Sequence, residues 1–173
     1  MRIRRPAADE YASFYAGYIA SVPDNEDLEA LLIAQAEETA ALLATLPEER
    51  ALHRYAPDKW SIKEVVGHVA DTERVMSYRL LRIARADSAP LAGFDENSWV
   101  RAAGFDRRPF GELLADAAAV REASLRLLEG LDEEAVGRTG IANGVHVSAR
   151  ALAWIIAGHE RHHARIIRER YLA

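Results

Sequence analysis

A chain of 173 residues, half of them apolar and 28% charged, is long enough for one compact domain with its own core. Its formal net charge of -5 excludes a general affinity for nucleic acid or an anionic membrane, because both need a dense basic face and the run RIRR at 2–5 is too short to supply one. The absence of cysteine excludes a disulfide framework, thiolate metal ligation and a cysteine nucleophile.

The opening MRIRRPAADEYASFY lacks the apolar centre of a signal peptide, and no later run approaches the roughly 20 apolar residues that span a bilayer. A cytoplasmic location is the expectation. Strand signals are nearly absent, and apolar residues recur at helical spacing over four long stretches, which predicts an all-α fold. Tyr11, Phe14, Tyr15 and Tyr18 predict a short aromatic helix lying across the bundle or against a partner subunit.

The first long stretch follows Asp24 and Asn25, candidate caps, and runs from about Asp27 to Leu46. Leu28, Leu31, Leu32, Leu42, Leu43 and Leu46 fall on or near one stripe, interrupted by Gln35 and Thr39, and Pro47 ends it. The second opens at WSIKE, where Ser61 and Glu64 have the spacing of a capping box, and continues to about Ala86. A loop, GFDENSWVRAAGFDRRP, leads to a third helix from about Pro109 to Glu129, with proline expected at the first helical position. A glycine-rich loop ending in Ser148 leads to the last helix, which extends to about Arg170. Four such helices joined by loops, two of them long, predict a four-helix bundle in one domain spanning residues 1–173.

The last helix carries HERHH at 159–163, so His159, Glu160 and His163 match the H-E-x-x-H pattern of zinc proteases. At about 100° per residue, His159 and His163 each lie within roughly 20° of the apolar stripe through Leu152, Ile155, Ile156, Ile166 and Ile167, whereas His162 lies about 80° away. Two inward imidazoles need partners, and a metal ion or buried hydrogen-bond acceptors would serve. The protease reading fails because no residue downstream of His163 offers a suitable third ligand and no sheet for substrate is indicated. Glu160, about 100° from His159, is expected at the surface rather than in catalysis, and is a candidate for the rim of the pocket or the support of a ligand. A ligand from a facing helix is the remaining route, and His68, at the edge of the inner stripe of the second helix, is a candidate that periodicity alone leaves open. His53 and His146 fall in loops.

The segments YAPDKWSIKEVVGHVADTERVMSYRLLRIAR, PLAGFDENSWV and VSARALAWIIAGHERHHARIIRERYL, together with the opening RRPAADEYASFYAGYIASVP, resemble the DinB-like superfamily of metal-binding four-helix bundles, which includes bacillithiol and mycothiol transferases. The resemblance implies a three-histidine site formed by His68, His159 and His163, holding zinc, nickel or another divalent ion, in a homodimer. It implies a small-molecule substrate and, as in the transferases, a low-molecular-weight thiol as co-substrate for detoxification or stress response. A hydrolase and a non-turning-over structural or sensor module are the alternatives. Trp60, Asp95, Glu96, Asn97 and Trp99 match positions that could line the pocket, and Asp71, ahead of Glu73, is the expected acceptor for the outer nitrogen of His68.

Overall fold

The computed structural model describes residues 3–24 and 27–173; Arg2 of the basic run and Asn25 of the candidate cap pair lie outside the described residues. After two single 3₁₀ turns, α1 (Ala16–Ala20) is the short helix expected from the aromatic segment, and it packs against the last helix. Helix α2 (Leu28–Leu43) starts at Asp27, whose carboxylate accepts from the amides of Glu29 and Ala30 at 3.0 and 3.1 Å. Pro47 then opens the single turn α3 (Glu48–Ala51).

Helix α4 (Ile62–Ala84) begins at the predicted capping box: Ser61 Oγ accepts from the Glu64 amide at 3.0 Å, and the Glu64 carboxylate accepts from the Ser61 amide at 2.9 Å. A helix not anticipated from the sequence, α5 (Glu96–Ala103), occupies the long loop, capped by Asp95 and closed by Gly104 at φ 63°. Helix α6 (Phe110–Glu129) starts one residue later than expected, with Pro109 as its cap. Its first amide donates to Glu48 Oε2 at 3.0 Å, and the other oxygen of that carboxylate meets the buried Lys63 Nζ.

The short helix α7 (Glu133–Gly137) precedes a feature the all-helical expectation omitted, an antiparallel hairpin of β1 (Thr139–Ala142) and β2 (Val145–Ser148). Asn143 and Gly144 turn it with φ values of 54° and 74°, the double positive φ that a two-residue hairpin of this twist demands. Ser148 caps α8 (Ala149–Ile166) through a 3.0 Å bond from the Ala151 amide, and a wider π turn, Ile167–Tyr171, extends it.

Helices α2, α4, α6 and α8 form the bundle, with α4 packed on both α6 and α8 and α2 bridging the same pair. Helix α1 approaches so closely that a Cβ at Gly158 would stand 2.2 Å from the Tyr18 carbonyl oxygen. The apolar interior divides into two clusters. One includes Leu28, Leu32, Leu80, Leu152 and Ile155, and the other includes Leu43, Ile62, Phe105, Leu113 and Tyr171. Along α4 the change falls between Val66 and Met76, and along α8 between Ala157 and Ile167; the buried polar residues His68, Thr72, Glu73, His159 and Glu160 fill those intervals. A polar layer therefore crosses the bundle between two hydrophobic ones.

Candidate metal centre

Three imidazoles meet in that layer. Nε2 of His159 lies 3.1 Å from Nε2 of His68 and 3.2 Å from Nε2 of His163. His68 and His159 are 4% and 6% exposed, and His163 is partly buried. The spacing explains the convergence: residues four apart on α8 share a face, and α4 brings His68 opposite them. His68, rated at the stripe's edge from periodicity, is fully inside because α8 and the Trp60 ring, 4.7 Å from its own, cover it.

Burial holds all three imidazoles below their ordinary pKa, His68 at about 4 and His163 at about 3, the latter also through its proximity to His68 and His162. His159 is also lowered well below its ordinary value, by burial first and then by the neighbouring histidines. Near neutral pH the rings are uncharged, so each carries one lone pair and one N–H. Three convergent nitrogens cannot satisfy one another pairwise, whereas one cation can accept all three lone pairs. Each ring offers a ligand atom within 4.8 Å of the others, and neutral imidazoles suit zinc, nickel and similar first-row ions. The donor set fits a divalent metal.

The surroundings fix the rings. Thr72 Oγ1 stands 3.5 Å from His68 Nδ1, leaving Nε2 to face the cluster. Tyr18 sets its ring edge-on to both His159 and His162, each at 5.4 Å between centroids. Burial, and then the charges of Glu96 and Tyr15, raise the Tyr18 pKa, which keeps its phenol protonated.

Two expectations about acidic residues are corrected. Asp71 does not reach His68; it is half-buried and pairs with Arg74 at 3.1 Å, and the neighbour of Nδ1 is Thr72, one residue on. Glu160 is not at the surface: it is 7% exposed, accepts from Thr39 Oγ1 at 2.9 Å and pairs with Arg121 at 2.8 Å. Arg121 also forks onto Glu73 at 2.9 and 2.7 Å and donates to the Leu32 carbonyl at 2.8 Å. Burial opposes the Arg121 charge, but the bonds to Glu73 and Glu160 outweigh it and raise its pKa above the ordinary value. This triad borders an apolar cavity of about 90 Å³ enclosed among α2, α4, α6 and α8, whose wall also includes His163. No motif announced it; charged residues on otherwise apolar faces of three helices were the available signal.

Other pocket expectations divide. Trp60 packs on His68, whereas Asn97 lies exposed in the first turn of α5 and Asp95 is occupied in capping Ser98 at 2.7 Å. Trp99, 44% exposed, rests on Phe94. His53 lies by Tyr171 and His146 on β2, neither with the cluster.

A helical bundle with a buried three-histidine layer defines a class of candidate metalloproteins, and comparison with known sequences makes it specific. The family profile of the DinB superfamily matches residues 31–167, and the chain belongs to that superfamily. A protein of Oceanobacillus iheyensis whose name proposes a metal-dependent hydrolase is 28% identical over 93 residues, 53% of this chain. That match spans 46% of the relative's own length. Among solved structures, YfiT from Bacillus subtilis, described as a probable metal-dependent hydrolase with an unusual four-helix bundle topology, superposes with a TM-score of 0.71 at 15% identity, covering 96% of this chain and 91% of its own. A mycothiol-dependent maleylpyruvate isomerase superposes with a TM-score of 0.69 at 14% identity, over 85% of this chain and 61% of its own. These structural likenesses establish the fold. No helix among the described residues is long and apolar enough to cross a membrane.

Proposed function

We propose that the chain is a metal-dependent enzyme that binds one divalent ion, zinc or nickel, through His68, His159 and His163 and transfers a small thiol to an electrophile, in detoxification or stress response. The observation that carries it is the convergence of three neutral Nε2 atoms in a buried layer. A bound divalent ion with three protein ligands lowers the pKa of a thiol or water at its remaining position and so supplies a nucleophile near neutral pH. The chain's own residues present three lone pairs, orient His68 beside Thr72 and cover the centre with the rings of Trp60 and Tyr18. Since the chain has no cysteine, a thiol nucleophile would arrive as co-substrate, and no internal thiol competes for the ion. Activity as a cytoplasmic homodimer of single-domain subunits belongs to the same proposal.

Hydrolysis is the second reading, favoured by the names of the Oceanobacillus relative and of YfiT; water would then replace the thiol. Elemental analysis of untagged protein beside His68→Ala and His163→Ala tests the centre. About one equivalent of metal, lost in both variants, supports it. Absence of metal after incubation with zinc or nickel returns the histidines to a structural role. Turnover of the loaded protein with thiols and electrophiles, against turnover with water alone, separates transferase from hydrolase, and inactivity in both arms leaves a structural or sensing centre.

A further inference from the structure

A second cavity lies on the other side of α8. Arg161 and Arg165 are about 180° and about 140° around the helix from the midpoint of His159 and His163. With Arg168 they line a cleft of about 410 Å³ between α1, α2 and α8, joined by His162, Glu38, Gln35 and Thr39. Three guanidinium groups against one carboxylate leave the lining with two excess positive charges, in a chain whose net charge is -5.

The arginines are loosely engaged. Arg168 stands 3.7 Å from Glu38 and Arg165 3.8 Å from Glu169, both longer than a hydrogen bond, and Arg161 donates to the Ser21 carbonyl at 3.0 Å. Gln35 is a different kind of signal. It is 5% exposed, its Nε2 donates to the Ala157 carbonyl at 3.0 Å, and its Oε1 has no partner among the described residues. The bond to Ala157 fixes which end of the amide is which, so the unmatched group is an acceptor that calls for a donor.

We propose that this cleft is a second binding site, independent of the metal centre, for a small hydroxylated oxyanion: a molecule with at least one carboxylate or phosphate end and a hydroxyl near it. Arginine forks match carboxylate and phosphate oxygens, and Arg161 to Arg168 spans roughly 10 Å along the helix, room for two such ends. The hydroxyl donates to Gln35 Oε1. Both oxyanion types share this chemistry, so the probes must separate them.

Malate, succinate and glycerol 3-phosphate, titrated by calorimetry into the metal-loaded protein, provide the test. Malate or glycerol 3-phosphate binds, with affinity falling as salt rises, and succinate, which lacks the hydroxyl, binds more weakly than malate. Tighter binding of malate assigns a carboxylate ligand; tighter binding of glycerol 3-phosphate assigns a phosphate ester. The exposed pair Arg165→Gln and Arg168→Gln weakens binding by about tenfold or more while metal content stays unchanged. Gln35→Met abolishes the preference for malate over succinate. Absence of binding below about 10 mM overturns the proposal. So does unchanged binding in the arginine variant, which would place the anion on the histidine centre instead.

Discussion

Replacing Arg121 with methionine tests the buried triad. The guanidinium is held by two carboxylates whose side chains are 6% and 9% exposed, Glu73 and Glu160. The substitution leaves both acids buried without their cation and also strips the Leu32 carbonyl of its donor. Removing one partner from a buried ion pair costs about 3–5 kcal/mol. In a domain of this length each kcal/mol shifts the melting temperature by about 2–4 °C, so the variant should melt roughly 6–20 °C lower by circular dichroism. Adding Glu73→Met and Glu160→Met removes the stranded charges and should recover much of the loss. A drop under about 2 °C in the single variant, or a triple variant no more stable than the single, would refute the reasoning.

The histidine pKa values fix a pH dependence. Their folded pKa lies below the ordinary 6.5, so the unfolded chain binds more protons than the folded one as pH falls, and stability is lost progressively from about pH 6.5 toward the folded values near 4 and 3. Because the folded rings are already neutral, zinc displaces no proton from them, and the rise in melting temperature on adding zinc should stay nearly constant from pH 7 to about pH 5.5. Collapse of that increment over this window would show ordinary histidine pKa values. Gly158→Ala should destabilise by about 1–3 kcal/mol in denaturant titration and displace Tyr18, because its Cβ would meet the Tyr18 carbonyl; an unchanged midpoint counts against this close packing. Ser61→Ala removes the acceptor for the Glu64 amide and should cost about 1 kcal/mol, with no loss of metal.

The four long helices were legible from their apolar stripes, and at two of them the expected caps agreed: Ser61 and Ser148 each accept from an amide in the first turn, whereas α2 is capped by Asp27, expected as the start of the helix in place of a cap. The hairpin was hidden by strands only four residues long, although Asn143-Gly144 is a strong turn signal. Helix α5 had its own punctuation in Asp95 and Gly104, overlooked in a segment too short for periodicity to stand out. At the centre, periodicity turned His159 and His163 inward but left His68 at an edge, because which flank of a helix is covered depends on the neighbours it meets. The inward position of Glu160 was missed for the same reason: a single helix cannot reveal that Arg121 waits on another.

Helix α8 touches α1, α2 and α4, supplies two of the three clustered histidines and is the last of the bundle's helices to be synthesised. Its contacts reach far back along the chain, from Trp154 to the Ile3 carbonyl and from His159 to His68. During translation, α4 and α6 can meet early, but every contact with α8 must wait, and topology of this kind slows folding relative to bundles built from adjacent helices. The histidine cluster and the bundle interior should arise in one late event, so the ion would enter a nearly finished protein rather than template a nascent one.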